Sequence, residues 1–441
     1  MNIRTHFWAL AVSLLALPLP MKGQVSQPLS LEKAIELSTK NNSSVQTAEL
    51  DRLIAKADRR QTDAIFLPQV AVGYQGLFTN DPLNAFGFLL QQRQVTAADF
   101  DPNKLNHPGN AHNYAASLDF QMPLLNLDKV YARKGARLQE EVYAHQAKYT
   151  QDFIRFEVQK AYTQLQFAYH SREILDSTLQ DVKNIYESVN RFYEQGLLHK
   201  SDVLNAQVQV NTIESALTKS ISNISNASDG LRLLLGEAVG ADTEVYQPSP
   251  LRQIKNTMDG KTFTTDRADL QAMQKALEAS RMNAKSAAMS FVPTINAFGS
   301  YQFNDDKMFH FKEDSYLLGI SMKWNLFSGN QNRSKLRAAK LQSEKMQRDY
   351  EFQLNKSQTE VEKNRRDITD LQIEINKQTT SVAQAAEALR ILSDRHREGL
   401  VSTTDLLLSQ AQLSQQRLAL AQSVMNYNIA CYYQEILTNS Y

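Results

Sequence analysis

The chain has 441 residues, and its 48 basic and 47 acidic side chains leave a formal net charge of +1. This balance gives no bulk attraction to nucleic acid, so no nucleic-acid partner is expected. The low glycine and proline counts, 15 and 11, are typical of a protein built mainly from helices. The only cysteine, Cys431, excludes a disulfide framework.

The first 23 residues predict a signal peptide. Basic Arg4 and His6 precede an apolar run over residues 7–19, which is too short to cross a bilayer as a stable helix. Gly23 offers a cleavage point, so the mature chain is expected to start near Gln24. We therefore expect an exported protein.

Beyond residue 23, no stretch of about 18 consecutive apolar residues occurs, which excludes a bundle of transmembrane helices. Any membrane-spanning part must therefore consist of β-strands. This conclusion directs attention to segments in which polar and apolar side chains alternate.

The chain contains an internal duplication, with the same order of elements in both halves. A Phe-aliphatic-Pro motif at residues 66–70 returns at residues 291–295. A Gly-Leu pair followed by Asp, Leu and Gln at residues 196–207 returns at residues 399–410. The fold is therefore expected to consist of two similar units.

Two segments in each half alternate with a period of two, which predicts four β-strands of roughly ten residues each. The alternation is clearest in the last of these strands. Its apolar side comprises Tyr316, Leu318, Ile320, Met322, Trp324 and Leu326. A soluble sheet with one buried face would show the same alternation, but aromatic residues near the strand ends favour a membrane barrel. The first strand pair is joined by a long polar loop, residues 80–113, and the second by a short one, residues 304–314. Four strands cannot close a barrel, so several copies must contribute strands jointly.

Two segments without proline, residues 128–194 and 331–398, predict helices about 100 Å long at ~1.5 Å per residue. In the second, apolar residues recur every seven positions, which predicts a left-handed supercoil. These residues are Leu354, Val361, Ile368, Ile375, Val382 and Leu389. A second helix follows each long one, after Gly196 and Gly399, so two helical hairpins are expected.

The predicted organisation is as follows: signal peptide, 1–23; first-repeat N-terminal helices, 24–65; first transmembrane strand pair with a long external loop, 66–125; first long helical hairpin, 126–235; equatorial linker, 236–265; second-repeat helix, 266–290; second transmembrane strand pair, 291–327; second long helical hairpin, 328–437; C-terminal tail, 438–441.

The duplicated motifs, together with Arg267-Ala268-Asp269-Leu270 before the second strand pair, resemble the TolC family of outer-membrane efflux proteins. The resemblance covers nearly the whole mature chain. It implies a homotrimer in which four strands per chain complete a shared twelve-strand transmembrane β-barrel, and the helical hairpins form a periplasmic α-barrel. It also implies a periplasmic adaptor (membrane fusion) protein and, through it, an inner-membrane pump. The function implied is passive export of drugs, metals or proteins in a tripartite efflux or type I secretion system.

The resemblance also implies a gate. Asp405 matches an aspartate that narrows the periplasmic entrance, and three copies would form a carboxylate ring that favours cations. The alternative is local, because Ser402 to Asp405 also form a capping-box sequence that starts the last helix. Leu408 replaces a second acid and Val401 replaces a basic latch residue, so neither of those features is expected.

Three further residues are predicted to lie at the hairpin turns. Asp202 corresponds to Asp405 in the first repeat, and its simpler interpretation is a solvated charge at a helix start. Gly196 and Gly399 are predicted to end helices in the left-handed conformation, at exposed tips where an adaptor would bind.

No catalytic or cofactor motif occurs: the sequence has no Walker loop, GxSxG, HExxH or CxxC. His107 and His112 in the predicted external loop could bind a metal weakly, but solvated histidines without further ligands are the favoured interpretation. An enzyme is therefore not expected. The alternatives kept open are a periplasmic coiled-coil adaptor or scaffold and a passive porin, although a porin needs many strands in one chain and little helix.

Overall fold

The computed structural model describes residues 26–238, 240, 244–256 and 262–438. The predicted signal peptide and residues 439–441 of the predicted tail lie outside these residues. The elements are β1 (Ser26–Pro28), α1 (Leu31–Asn41), α2 (Ser43–Gln61), β2 (Gln69–Thr79), α3 (Pro82–Gln91), α4 (Pro102–Asn106), β3 (Ala111–Leu125), α5 (Leu127–Glu194), α6 (Lys200–Leu234), β4 (Val245–Gln247), α7 (Ala268–Met289), β5 (Thr294–Asp305), β6 (Glu313–Lys323), α8 (Gln331–Arg397) and α9 (Thr403–Leu437). No helix within this described part has both the length and the apolarity needed to cross a membrane.

The two long helices are confirmed. Helix α5 has 68 residues and α8 has 67. Every predicted heptad residue of α8 is buried or half-buried, because each lies on the stripe that packs against other helices. The seven-residue pattern therefore identified the packing side of α8 correctly.

One compact unit comprises the described residues within Met1–Glu36, Lys160–Arg252 and Lys377–Met425. Its core joins α5, α6 and α9, so α6 folds back on α5 as a hairpin. The buried residues of this core are Leu179, Val182, Ala206, Val210, Ile213 and Leu407.

The same unit contains a two-stranded parallel sheet that the sequence did not predict. Strand β1 pairs with β4, so the predicted linker over residues 236–265 contains a strand. Nearby, the buried Tyr162 hydroxyl donates to the Leu29 carbonyl at 2.9 Å. Strands of three residues are too short to show alternation, which explains why they were missed.

The second compact unit comprises the described residues within Leu37–Gln159, Gln253–Asn376 and Asn426–Tyr441. Part of its core lies where α5, α8 and α9 meet, and consists of Phe156, Val361, Ile436 and Leu437. The contact between Val361 and the end of α9 confirms the second helical hairpin.

The second unit also holds an antiparallel four-stranded sheet in the order β2-β3-β5-β6. Directly opposed residues share a face, and one such row is Val72, Leu118, Tyr301 and Tyr316. All four are exposed large apolar side chains. The predicted alternation is therefore confirmed, with an apolar side open in the single chain and a polar side opposite.

Two details of the predicted strands are wrong. Strand β6 ends at Lys323, so Trp324 and Leu326 lie outside it. The Trp324 indole instead donates to the Phe291 carbonyl at 3.0 Å. The chain then turns through Gly329 and Asn330, both with positive φ, into α8.

The predicted external loop over residues 80–113 is largely structured. It contains α3 and α4, each preceded by an aspartate whose carboxylate accepts a backbone N–H of the first turn. Pro82 and Pro102 occupy the first helical positions, where a missing N–H costs nothing. His112 is not in a loop but in β3, opposite Phe78, so its predicted loop position is wrong.

Candidate gate and contact residues at the hairpin turns

The turn between α5 and α6 is built around Gly196, which has a φ of +75°. Its N–H donates to the Tyr193 carbonyl at 2.9 Å, and the Leu197 N–H donates to the Phe192 carbonyl at 2.9 Å. These two bonds form a Schellman motif, which satisfies carbonyls that the helix end would otherwise leave unpaired. Glycine is needed here because a side chain strains the left-handed conformation.

The turn between α8 and α9 repeats this geometry. Gly399 has a φ of +70°. Its N–H donates to the His396 carbonyl at 3.0 Å, and the Leu400 N–H donates to the Arg395 carbonyl at 2.9 Å. The duplication seen in the sequence therefore extends to matched hydrogen bonds at the two turns.

Asp405 lies in the first turn of α9 and its side chain is exposed. The Asp405 N–H donates to the Ser402 Oγ at 3.1 Å, while the Ser402 hydroxyl donates to the Asp405 carboxylate at 2.7 Å. A carboxylate in the first turn is also favoured by the helix dipole. The carboxylate thus supports the helix start and stays open to solvent, so the cap leaves it available for other interactions.

Asp202 occupies the matching position in α6. Its carboxylate accepts the His199 N–H at 3.1 Å, which completes a capping box around His199. Asp202 is half-buried, whereas Asp405 is exposed. The two aspartates are therefore equivalent in sequence position but differ in exposure.

A buried histidine, His396, lies beside these turns, and sequence analysis did not identify it. The His396 ring, at the end of α8, lies 6.2 Å from the Phe192 ring and contacts the Thr403 hydroxyl at 3.3 Å. Burial lowers the pKa of His396, and the negative charge of Asp202 offsets part of this effect. The structure therefore brings Asp202 of the first repeat near His396 of the second.

The sequence around His396 does not show that its side chain is buried, because the groups around it come from α5, α6 and α9. At the matching place in the first repeat stands Tyr193, which is exposed. Within the described part of the chain, no three or more His, Cys, Asp or Glu side chains are grouped so that they could hold a metal ion.

The chain matches the family described as outer membrane efflux protein over residues 34–237 and 264–430. This match spans most of both repeats, and the chain belongs to that family. The prediction of an outer-membrane channel with a periplasmic helical part is therefore confirmed, and the fold described above is that of an efflux channel subunit.

Similar proteins agree with this assignment. The chain is 23% identical over 414 residues to the cation efflux system protein CusC of Escherichia coli O157:H7, covering 91% of this chain and 83% of that protein. A membrane protein from Pseudomonas aeruginosa has a similar fold, with a TM-score of 0.82 at 19% identity, covering 92% of each chain. The Campylobacter jejuni CmeC outer membrane channel has a TM-score of 0.80 at 14% identity, covering 100% of this chain and 94% of that one.

Proposed function

We propose that three copies of this chain form one passive conduit through the outer membrane, loaded by an inner-membrane pump through a periplasmic adaptor. The observation that carries the proposal is the four-stranded sheet, in which β2 and β6 are the outermost strands. Unpaired strand edges in lipid cost several kcal/mol per group, roughly, so the edges must pair with those of other copies. Three copies of four strands supply twelve strands, a number that closes a barrel.

The exposed side chains of the sheet support the same proposal. On β6, Tyr316, Leu318, Ile320 and Met322 are all exposed in the single chain. A contiguous apolar surface of this kind is costly in water and favourable against hydrocarbon. The strand pairs at residues 66–125 and 291–327 are accordingly proposed as the membrane-spanning segments.

The helical hairpins would form the periplasmic part of the conduit. Gly196 and Gly399, with the exposed Leu197 and Leu400 beside them, are proposed as the surface that an adaptor contacts. Such a surface suits docking because it combines rigid capped helix ends with exposed apolar side chains.

Asp405 is proposed as the gate residue. Three exposed carboxylates around one axis would attract cations, and a cation bound by the ring would block the entrance. Leu408, one turn further along α9, is exposed and apolar, so a single acidic ring is proposed.

No catalytic step is proposed, because the channel class requires only a path and the energy would come from the pump. The pump would also select the cargo, whether a drug, a metal ion or a protein. A panel of toxic compounds and metal salts applied to a deletion strain tests the cargo class, and restored resistance on complementation identifies it.

Membrane fractionation tests the proposed function. We expect a heat-modifiable oligomer in outer-membrane extracts, which forms ion-conducting pores in planar bilayers. Release of the chain by osmotic shock, as a soluble protein without pore activity, would instead support a periplasmic adaptor or scaffold.

A further inference from the structure

Helix α3 is anchored to the polar face of the sheet by a buried hydrogen-bond network. The Gln92 amide donates to the Asn113 Oδ1 at 3.0 Å, and the Asn113 amide donates to the Asn304 Oδ1 at 2.9 Å. Asn113 also donates to the Gln91 Oε1 at 3.2 Å. Buried amides paired in this way hold a segment in one position, because each unpaired group would be costly.

A second anchor holds the same end of α3 to β6. The Arg93 guanidinium donates to the Asp314 carbonyl at 2.9 Å and lies 3.3 Å from the Glu313 carboxylate. Helix α3 is thus joined to β3, β5 and β6 at the ends of the strands remote from α5 and α8. In a barrel whose apolar face contacts lipid, the polar face points toward the channel axis. Helix α3 would therefore lie inside the extracellular opening of the barrel.

One side of α3 packs within its own chain, and another side does not. Ala85 and Phe88 are buried. Leu83 and Leu90 are 82% and 55% exposed, and lie on one side of the helix at helical spacing. Between them is Gly87, where an added Cβ would meet nothing within 4 Å. This exposed apolar side, called the plug stripe, allows close approach of another helix.

We propose that the plug stripes of three copies meet on the channel axis and narrow its outer exit. The partner is a second copy of this chain, because the strand edges bring copies together around one axis and α3 is fixed on the side that faces that axis. The proposal rests on the trimeric channel proposed above. It adds a constriction at the exit, separate from the Asp405 ring.

Disulfide formation between single introduced cysteines tests this contact in the full chain in outer membranes. The native Cys431 is 3% exposed, and burial raises its pKa to about 11, so it does not interfere. Leu83→Cys should give a disulfide-linked dimer on oxidation. The control Leu318→Cys is 73% exposed in the single chain but lies on the apolar face of β6, so it should stay monomeric on a denaturing gel.

Channel recording gives a second measurement. Leu83→Asp should raise single-channel conductance, because three charged carboxylates cannot pack against one another as the apolar leucines do, while the conservative Leu83→Met should not. A heat-modifiable oligomer with no Leu83→Cys dimer and unchanged Leu83→Asp conductance would overturn the plug and leave the trimeric channel standing. Absence of any oligomer would overturn both.

Discussion

The Arg267 guanidinium holds Asp269 at both carboxylate oxygens, with the Nε–Oδ1 and Nη2–Oδ2 distances both 2.7 Å. The same Nη2 donates to the buried Ser357 Oγ at 3.0 Å, which ties the start of α7 to α8. Burial lowers the pKa of Arg267, but the hydrogen bond and charge of Asp269 raise this pKa by more than burial lowers it. The pKa of Arg267 is therefore raised.

Removing Arg267 should therefore destabilise the chain strongly. Arg267→Ala leaves the Asp269 carboxylate without its partner and should cost about 3–5 kcal/mol of unfolding free energy. Urea denaturation of the detergent-solubilised protein measures this loss. The double variant Arg267→Met with Asp269→Leu is the control, because it removes both charges and should recover most of the stability. An Arg267→Ala variant as stable as wild type would contradict the structural role of the pair.

The proposed gate role of Asp405 and the helix-capping role of Ser402 can be tested separately by mutation. Asp405→Ala should raise single-channel conductance and weaken block by divalent cations, because it removes the carboxylate ring. Ser402→Ala removes the helix cap, with a cost of about 1 kcal/mol, but keeps the carboxylate and should leave conductance unchanged. Unchanged conductance and block in Asp405→Ala would leave Asp405 only its role at the start of α9.

Gly399 should resist substitution because of its backbone conformation. Gly399→Ala should destabilise by about 1–2 kcal/mol, the cost of a left-handed conformation with a side chain. The control is Gly230→Ala in α6, where nothing lies within 4 Å of an added Cβ. That change should stabilise by roughly 0.5–1 kcal/mol, because alanine favours helix. Equal effects at both positions, measured by thermal denaturation, would contradict the assigned turn geometry.

His396 should make the hairpin turns sensitive to acid. The packed ring has a lowered pKa, so the folded turn binds fewer protons than the unfolded chain. Stability is therefore complete above the unfolded pKa of about 6.5 and decreases as pH falls from there toward the folded pKa. The groups around the ring are Phe192 of α5, Asp202 of α6 and Thr403 at the start of α9.

Thermal denaturation near pH 7.5 and near pH 5.5 measures this dependence, with the melting temperature lower at the acidic pH. His396→Gln removes the titrating group and should reduce the difference between the two pH values. A difference as large in His396→Gln as in wild type would assign the acid sensitivity to other groups.

The sequence predicted the long helices and the four strands because their patterns are regular over many residues. The heptads of α8 and the alternation of β6 each follow from one packing environment along a whole element. The paired strands β1 and β4 were missed because three residues carry no period. Helix α3 was missed because its apolar residues lay in a segment rich in turn-forming residues, and the signals that start it, Asp81 and Pro82, also occur in turns.

The candidate site was predicted only in part. The positions of Gly196 and Gly399 follow from local turn chemistry, which a sequence shows directly. The burial of His396 depends on side chains from other helices, including Phe192, more than 200 residues away in the sequence. Contacts of that range arise only when the two repeats pack together, so no local pattern reports them.

The proposed channel requires that copies of this chain complete one pore together, because a single copy has too few strands. Native mass spectrometry of the protein extracted from outer membranes in detergent tests it most directly. The predicted result is a complex of three chains, each close to 50.0 kDa less the signal peptide. A single chain that stays folded and water-soluble without detergent would rule out the shared pore.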